Sequence, residues 1–147
     1  IMTEPELLHR WIARRASEGF LLTEFMSDAG CNIVALGGDV SSDKGPFISP
    51  AHYREFILPV IKDHINLIKR KGAYAVYTSD GNLWALKNEF FFESGANGYK
   101  EVDFGAGMTM ERLIAEDPHY RQEVEEIESY VAGKGIGHSG PAGPASK

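Results

Sequence analysis

Apolar positions along this chain follow two different periods. Tyr53, Phe56, Ile57, Val60, Ile61, His64, Ile65 and Ile68 recur three and four residues apart, which predicts a helix with one buried stripe. Ser49 is placed to cap it and Pro50 stands at its first position, where the missing N–H costs nothing. Lys69, Arg70 and Lys71 fill the last turn, where the helix dipole favours cations, and Gly72 is the stop. Pro59 lies inside and removes one backbone bond, so a kink is expected there. The next run, 73–78, is too short for a helix and rich in β-formers, and it breaks at Ser79-Asp80-Gly81-Asn82, a turn composition. Upstream, Asn32 to Leu36 is a continuous apolar run, as in a strand buried on both faces, and Gly37-Gly38-Asp39 ends it. With a polar loop over 40–48, the stretch 36–82 reads as the βαβ unit of a parallel sheet.

The flanking segments extend this unit. Thr3-Glu4-Pro5-Glu6 has the capping-box pattern, with Thr3 as N-cap. Leu7, Leu8, Trp11, Ile12, Phe20, Leu21, Leu22, Phe25 and Met26 then form an apolar stripe up to Gly30. Gly19 costs this helix about 1 kcal/mol against Ala and marks a bend or a close helix contact. After Asn82, Leu83, Trp84, Leu86, Phe90 and Phe91 predict another helix, ended by Gly95. A third strand is expected over 98–103, carrying Glu101 and Asp103, before Gly105-Ala106-Gly107. Thr109 caps a short helix through Met110, Leu113 and Ile114. Asp117-Pro118 starts a last one with the stripe Tyr120, Val124, Ile127, Tyr130 and Val131. Residues 1–133 therefore read as one domain and 134–147 as a Gly/Pro-rich mobile tail. His138 either ends a fourth short strand over 135–137 or stands free in that tail.

Composition narrows the class. The chain has 147 residues, enough for one domain with a core, and its hydrophobic content of 43% is that of a globular protein. A net charge of −6 argues against nucleic acid as a partner. The clusters Arg10, Arg14, Arg15 and Lys69 to Lys71 read as solvated helix faces. Cys31 is the single cysteine, so no intramolecular disulfide forms, and its place before an apolar strand suggests a packing role. The first thirty residues are too charged for a signal peptide, and no apolar run approaches the ~18 residues of a membrane span. A cytoplasmic location is expected.

Three strand ends bring polar side chains toward one rim: Asp39; Thr78, Ser79 and Asp80; then Glu101 and Asp103. Carboxylates from successive parallel strands suit general acid–base chemistry or binding of a polar ligand. They equally suit helix caps, and Asp80 and Asn82 stand where N-caps would. Gly37-Gly38 is no dinucleotide fingerprint. The five histidines show no metal-ligand spacing, and no nucleophile elbow, phosphate loop or Cys–His pair is present.

Gly45-Pro46-Phe47-Ile48-Ser49-Pro50, Tyr53-Arg54-Glu55-Phe56, Pro59 and Ser79-Asp80-Gly81-Asn82, together with Glu93-Ser94-Gly95-Ala96-Asn97-Gly98, resemble the uroporphyrinogen decarboxylase superfamily, which also contains corrinoid-dependent methyltransferases. The resemblance covers about residues 3 to 116. It implies a (β/α)₈ barrel of the α/β class, with parallel strands near 32–38, 73–78 and 98–103 joined by helical crossovers. A complete barrel needs about 250 residues, so it implies the carboxyl-terminal half of such a fold. The amino-terminal arginine motif, the early catalytic aspartate and the tyrosine of the family have no counterpart here. Thr78-Ser79-Asp80 stands where the methyltransferase branch carries its His-x-Cys zinc ligands. The resemblance implies tetrapyrrole decarboxylation without a cofactor or metal. Asp39, Asp80 and His138 are then the catalytic candidates, and Ser41, Phe47, Thr78, Ser79, Asn82 and Glu101 the substrate-binding ones. The alternatives are a methyltransferase relative without the zinc pair, acting with a corrinoid, and a non-catalytic fragment or interaction module. Open sheet edges predict self-association.

Overall fold

The computed structural model describes residues 4–116 and, beyond them, Glu125, Ser129 and Gly133. The chain divides into two compact units, Ile1–Thr109 and Met110–Lys147. The first unit holds α1 (Pro5–Asp28), β1 (Ile33–Gly37), β2 (Ser41–Ser42), β3 (Gly45–Pro46), α2 (Pro50–His52), α3 (Leu58–Arg70), β4 (Tyr74–Thr78) and β5 (Gly98–Lys100). In the second unit α4 (Met110–Glu116) is described, with Leu113 buried. The helix expected after Asp117, the tail from 134 and His138 lie outside the described residues.

The sheet has the order β1-β4-β5 and both pairs are parallel. Ile33 lies opposite Tyr74 and Gly37 opposite Thr78, while Val76 to Thr78 face Gly98 to Lys100. Parallel neighbours cannot be joined by a tight hairpin, so each pair needs a crossover. The first crossover runs through α2 and α3. Ser49 caps it as predicted, its Oγ accepting from His52 N–H. Pro59 cannot donate to the carbonyl four residues back. The chain accommodates this with a π turn over Tyr53–Ile57, in which Leu58 N–H reaches Tyr53 C=O. The expected kink thus takes the form of a widened turn. Gly72 ends the helix at φ +81°, a conformation that disfavours a side chain.

The core lies between α3 and one face of the sheet. Tyr53, Phe56, Ile65 and Ile68 of the crossover and Val34, Leu36, Ala75 and Tyr77 of the sheet are all buried, and α3 packs on β4. Tyr77 stacks on Phe90 with ring centroids 4.2 Å apart. The hydroxyls of Tyr53 and Tyr77 lie 2.5 Å apart inside this layer. Burial pushes both phenols up, Tyr77 to about 12. The buried Glu89 carboxylate is met by Arg54.

Five expectations are corrected. β1 is buried on one face only: Val34 and Leu36 are covered, while Ile33 on the opposite face is 63% exposed, because helices cover a single side of the sheet. Cys31 is exposed, since it sits in the turn before that strand. The third strand stops at Lys100 because Glu101 adopts φ +69°, which turns the chain out of the ladder. The helix expected after Asn82 is a 3₁₀ turn, Trp84–Leu86, followed by a π turn, Asn88–Glu93. The N-cap of α1 is Glu4, whose side chain makes no capping bond; Thr3 lies outside the described residues.

The apolar stripe of α1 is also split. Ile12 is buried, but Trp11, Leu21, Leu22 and Phe25 are exposed. Gly19 marks a close contact: a Cβ there would lie 3.0 Å from the His64 ring on α3. No helix of the described residues is long and apolar enough to cross a membrane.

Candidate functional site

The loops after β1, β4 and β5 meet at the carboxyl end of the sheet. The loop after β1 folds back as the β2–β3 hairpin, with Ser41 opposite Pro46. This hairpin docks on the loop after β4: Asn82 N–H donates to Ser42 C=O at 2.8 Å, and the Ser41 hydroxyl donates to Asn82 C=O at 2.5 Å. Ser79 ties the same loops from below, accepting from Val40 N–H at 3.1 Å and donating to Asp80 C=O at 3.0 Å. Ser41 and Ser79 are buried, so their hydroxyls hold the loops together. Asn82 caps the following turn, its Oδ1 accepting from Trp84 N–H at 3.2 Å.

Gly81 makes this docking possible. Its φ is +87°, and a Cβ there would lie 2.8 Å from Ser42 C=O. No other residue lets the two loops come so close.

Four carboxylates gather on this rim. Asp39 accepts from Asp80 N–H at 3.4 Å. Asp103 accepts from Gly81 N–H at 3.3 Å and from Ala106 N–H at 3.1 Å. Glu101 accepts from the Thr78 hydroxyl and pairs with Lys100 at 2.6 Å. Those two partners hold the Glu101 carboxyl below its ordinary value, Lys100 first. Asp80 goes the other way: surrounding protein displaces water, then Glu101, Asp39 and Asp103 add negative charge, and all of these raise it, with Lys100 opposing. The two acids therefore have opposite tendencies side by side.

The structure thus brings Asp39, Ser41, Thr78, Ser79, Asp80, Asn82 and Glu101 together at one rim. Phe47 is 65% exposed in the hairpin loop, with its N–H donating to Val40 C=O at 3.0 Å. His138 lies outside the described residues. Asp103, read from sequence as a rim acid, is the bracket between two loops. One rim residue was not singled out from sequence: Lys100 is the rim's cation, and its signal is direct adjacency to Glu101. Among the described residues no group of three or more His, Cys, Asp or Glu side chains is placed to hold a metal ion. Compared with known proteins, the chain matches no protein-family model, no curated protein and no solved structure.

Proposed function

We propose that the chain is part of a (β/α)₈ barrel of the uroporphyrinogen decarboxylase kind, and that its rim binds a tetrapyrrole. The sequential parallel order β1-β4-β5 supports the barrel, because a singly wound barrel adds its strands in chain order. The observation that carries the ligand reading is the placing of Asp39 and Asp80 at adjacent strand ends, the Asp80 backbone N–H donating to the Asp39 carboxylate. A tetrapyrrole offers pyrrole N–H donors at its centre and carboxylates at its periphery. The four rim acids repel the periphery and accept from the centre, so the ligand meets Asp39 and Asp80 through its N–H groups. Asp80 is the donor to a pyrrole ring carbon. The electron-poor ring then draws the electron pair of the breaking C–C bond as CO₂ leaves, the exocyclic carbon takes one proton from solvent, and the ring carbon returns its proton to Asp80, which restores the pyrrole. The net change is loss of CO₂ from the carboxylate and gain of one proton at the exocyclic carbon. Phe47 supplies an exposed aromatic face for the macrocycle, and Asn82 and Glu101 flank the acids.

Absorbance titration with uroporphyrin, the oxidised stand-in for the substrate, tests this. Binding that weakens in Asp39→Asn and Asp80→Asn is expected. Binding of hydroxocobalamin in its place selects the methyltransferase alternative, and binding of neither overturns the ligand reading.

A further inference from the structure

Thr78 stands opposite Lys100 in the β4–β5 pair, and Gly37 stands opposite Thr78 on its other flank. The residues before them point to the helix layer: Tyr77 is buried there against Phe90, and the Tyr99 hydroxyl donates to Phe91 C=O. Successive side chains alternate in a strand, so Thr78 and Lys100 project from the opposite face of the sheet. Glu101 breaks that alternation. Its φ is +69°, and among the described residues it is the one residue other than glycine with a left-handed backbone. An extended Glu101 would turn its side chain to the helix layer beside Tyr99. The left-handed one brings the carboxylate back onto Lys100 and Thr78. One oxygen lies 2.6 Å from Lys100 Nζ, and the other accepts from the Thr78 hydroxyl. Such a backbone costs energy in a residue with a side chain and persists where its neighbours hold it.

We infer that Lys100 and Thr78 form a subsite for one peripheral carboxylate of the ligand, and that Glu101 fills it in the free chain. The donors match a carboxylate, with an ammonium for one oxygen and a hydroxyl for the other. Lys100 and Glu101 are both open to solvent, so an incoming group reaches the pair. Binding exchanges one carboxylate for another on the same two donors, and Glu101 swings into water. The charge at the donors is therefore unchanged. The sheet leaves room for the arm that carries the carboxylate. Gly37 puts no side chain beside Thr78, and the row beneath holds Ala35, Val76 and Gly98, each smaller than Ile33 and Tyr74 one row further down. The wall thus recedes toward the rim. Asp39, Asp80 and Asp103 repel any further carboxylate, so a single arm is admitted and the macrocycle lies in one orientation. The identity of the molecule that owns the arm rests on the tetrapyrrole reading; the carboxylate subsite does not.

The test uses the full chain, isotope-labelled, with two probes. Sodium propionate is compared with sodium chloride at equal ionic strength, followed by NMR of the Lys100 ε-methylene and the Thr78 methyl. In Glu101→Gln both signals are expected to shift saturably, at a propionate concentration about threefold or more below that for wild type, because the placeholder no longer competes. In Lys100→Gln the Thr78 methyl is expected to stay still. Uroporphyrin is then titrated by absorbance. Its binding is expected to weaken about threefold or more in Lys100→Gln and in Thr78→Val, which keeps the side-chain shape, and to tighten in Glu101→Gln. The subsite is overturned if propionate moves nothing in Glu101→Gln that chloride does not, or if that variant and wild type respond at the same concentration. It is likewise overturned if uroporphyrin binds Lys100→Gln and Thr78→Val as it binds wild type. A propionate response at Lys100 and Thr78 without any uroporphyrin binding upholds the subsite and overturns the tetrapyrrole reading.

Discussion

Asp103 brackets Gly81, with one carboxylate oxygen on the Gly81 N–H at 3.3 Å and the other on the Ala106 N–H at 3.1 Å. One side chain thus fixes the loop after β4 to the turn after β5. Asp103→Ala leaves two part-buried N–H groups without their acceptor and is expected to cost about 1–3 kcal/mol. Asp103→Asn, which keeps one acceptor, should cost less. Urea denaturation of the two variants checks the order.

Gly81→Ala tests the same junction from its other side. The substitution places a methyl 2.8 Å from Ser42 C=O at φ +87°. We expect a loss of about 2–4 kcal/mol, more than for an ordinary loop glycine, because strain and overlap act together. A thermal midpoint within a degree of wild type would show that the hairpin is not docked on this loop.

Removing the Glu101 charge should change Asp80. Glu101 is the first of the acids that raise Asp80, ahead of Asp39 and Asp103. In Glu101→Gln the Asp80 carboxyl is expected to titrate lower, and in Asp39→Asn also lower but by less, as read by carbon-detected NMR titration. Because Asp80 is raised in the folded state, its contribution to stability is present at acid pH and is lost as pH rises through its folded value. Glu101 is depressed, so its contribution is present above the unfolded value and is lost as pH falls through the folded one.

Thr23 and His64 join α1 to α3, with Oγ1 and Nε2 2.5 Å apart. Burial lowers His64 below its ordinary 6.5, with the Gly19 carbonyl opposing. The folded state then binds fewer protons than the unfolded one between the two values. Stability is therefore full above 6.5 and is lost as pH falls through the folded value. His64→Gln should flatten the stability profile between pH 7 and pH 5, measured by denaturation at each pH, while wild type slopes downward.

Tyr53→Phe and Tyr77→Phe each leave one buried hydroxyl facing a hydrocarbon ring. Each is expected to cost about 1–3 kcal/mol, and the double variant less than the sum of the two, because no orphan remains. Additive losses would show that the hydroxyls, 2.5 Å apart, do not bond.

Much of this architecture was legible in the chain. Ser49-Pro50 and Gly72 set the limits of the crossover helix because capping and backbone sterics act locally. Asp39, Asp80 and Asn82 could be placed on one rim because parallel strands put their carboxyl ends together. What was not legible depends on neighbours distant in sequence. Ile33 and Trp11 read as core from their own periodicity, and only the tertiary arrangement leaves them exposed. The short β5 follows from Glu101, whose left-handed backbone is tied to Thr78 and Lys100 through its side chain, and no local pattern announces that. Pro59 announced a break, but whether it would be a kink or a π turn is decided by the packing of Tyr53 and Phe56.

The tetrapyrrole site proposed on the rim is tested most directly by residue-resolved NMR of the chain titrated with uroporphyrin. The expected result is a saturable set of amide shifts confined to Asp39, Phe47, Asp80, Gly81, Asn82 and Glu101, weakened in Asp39→Asn. Shifts that spread over the exposed face of α1, around Trp11 and Phe25, or that leave the rim amides unmoved, would contradict it.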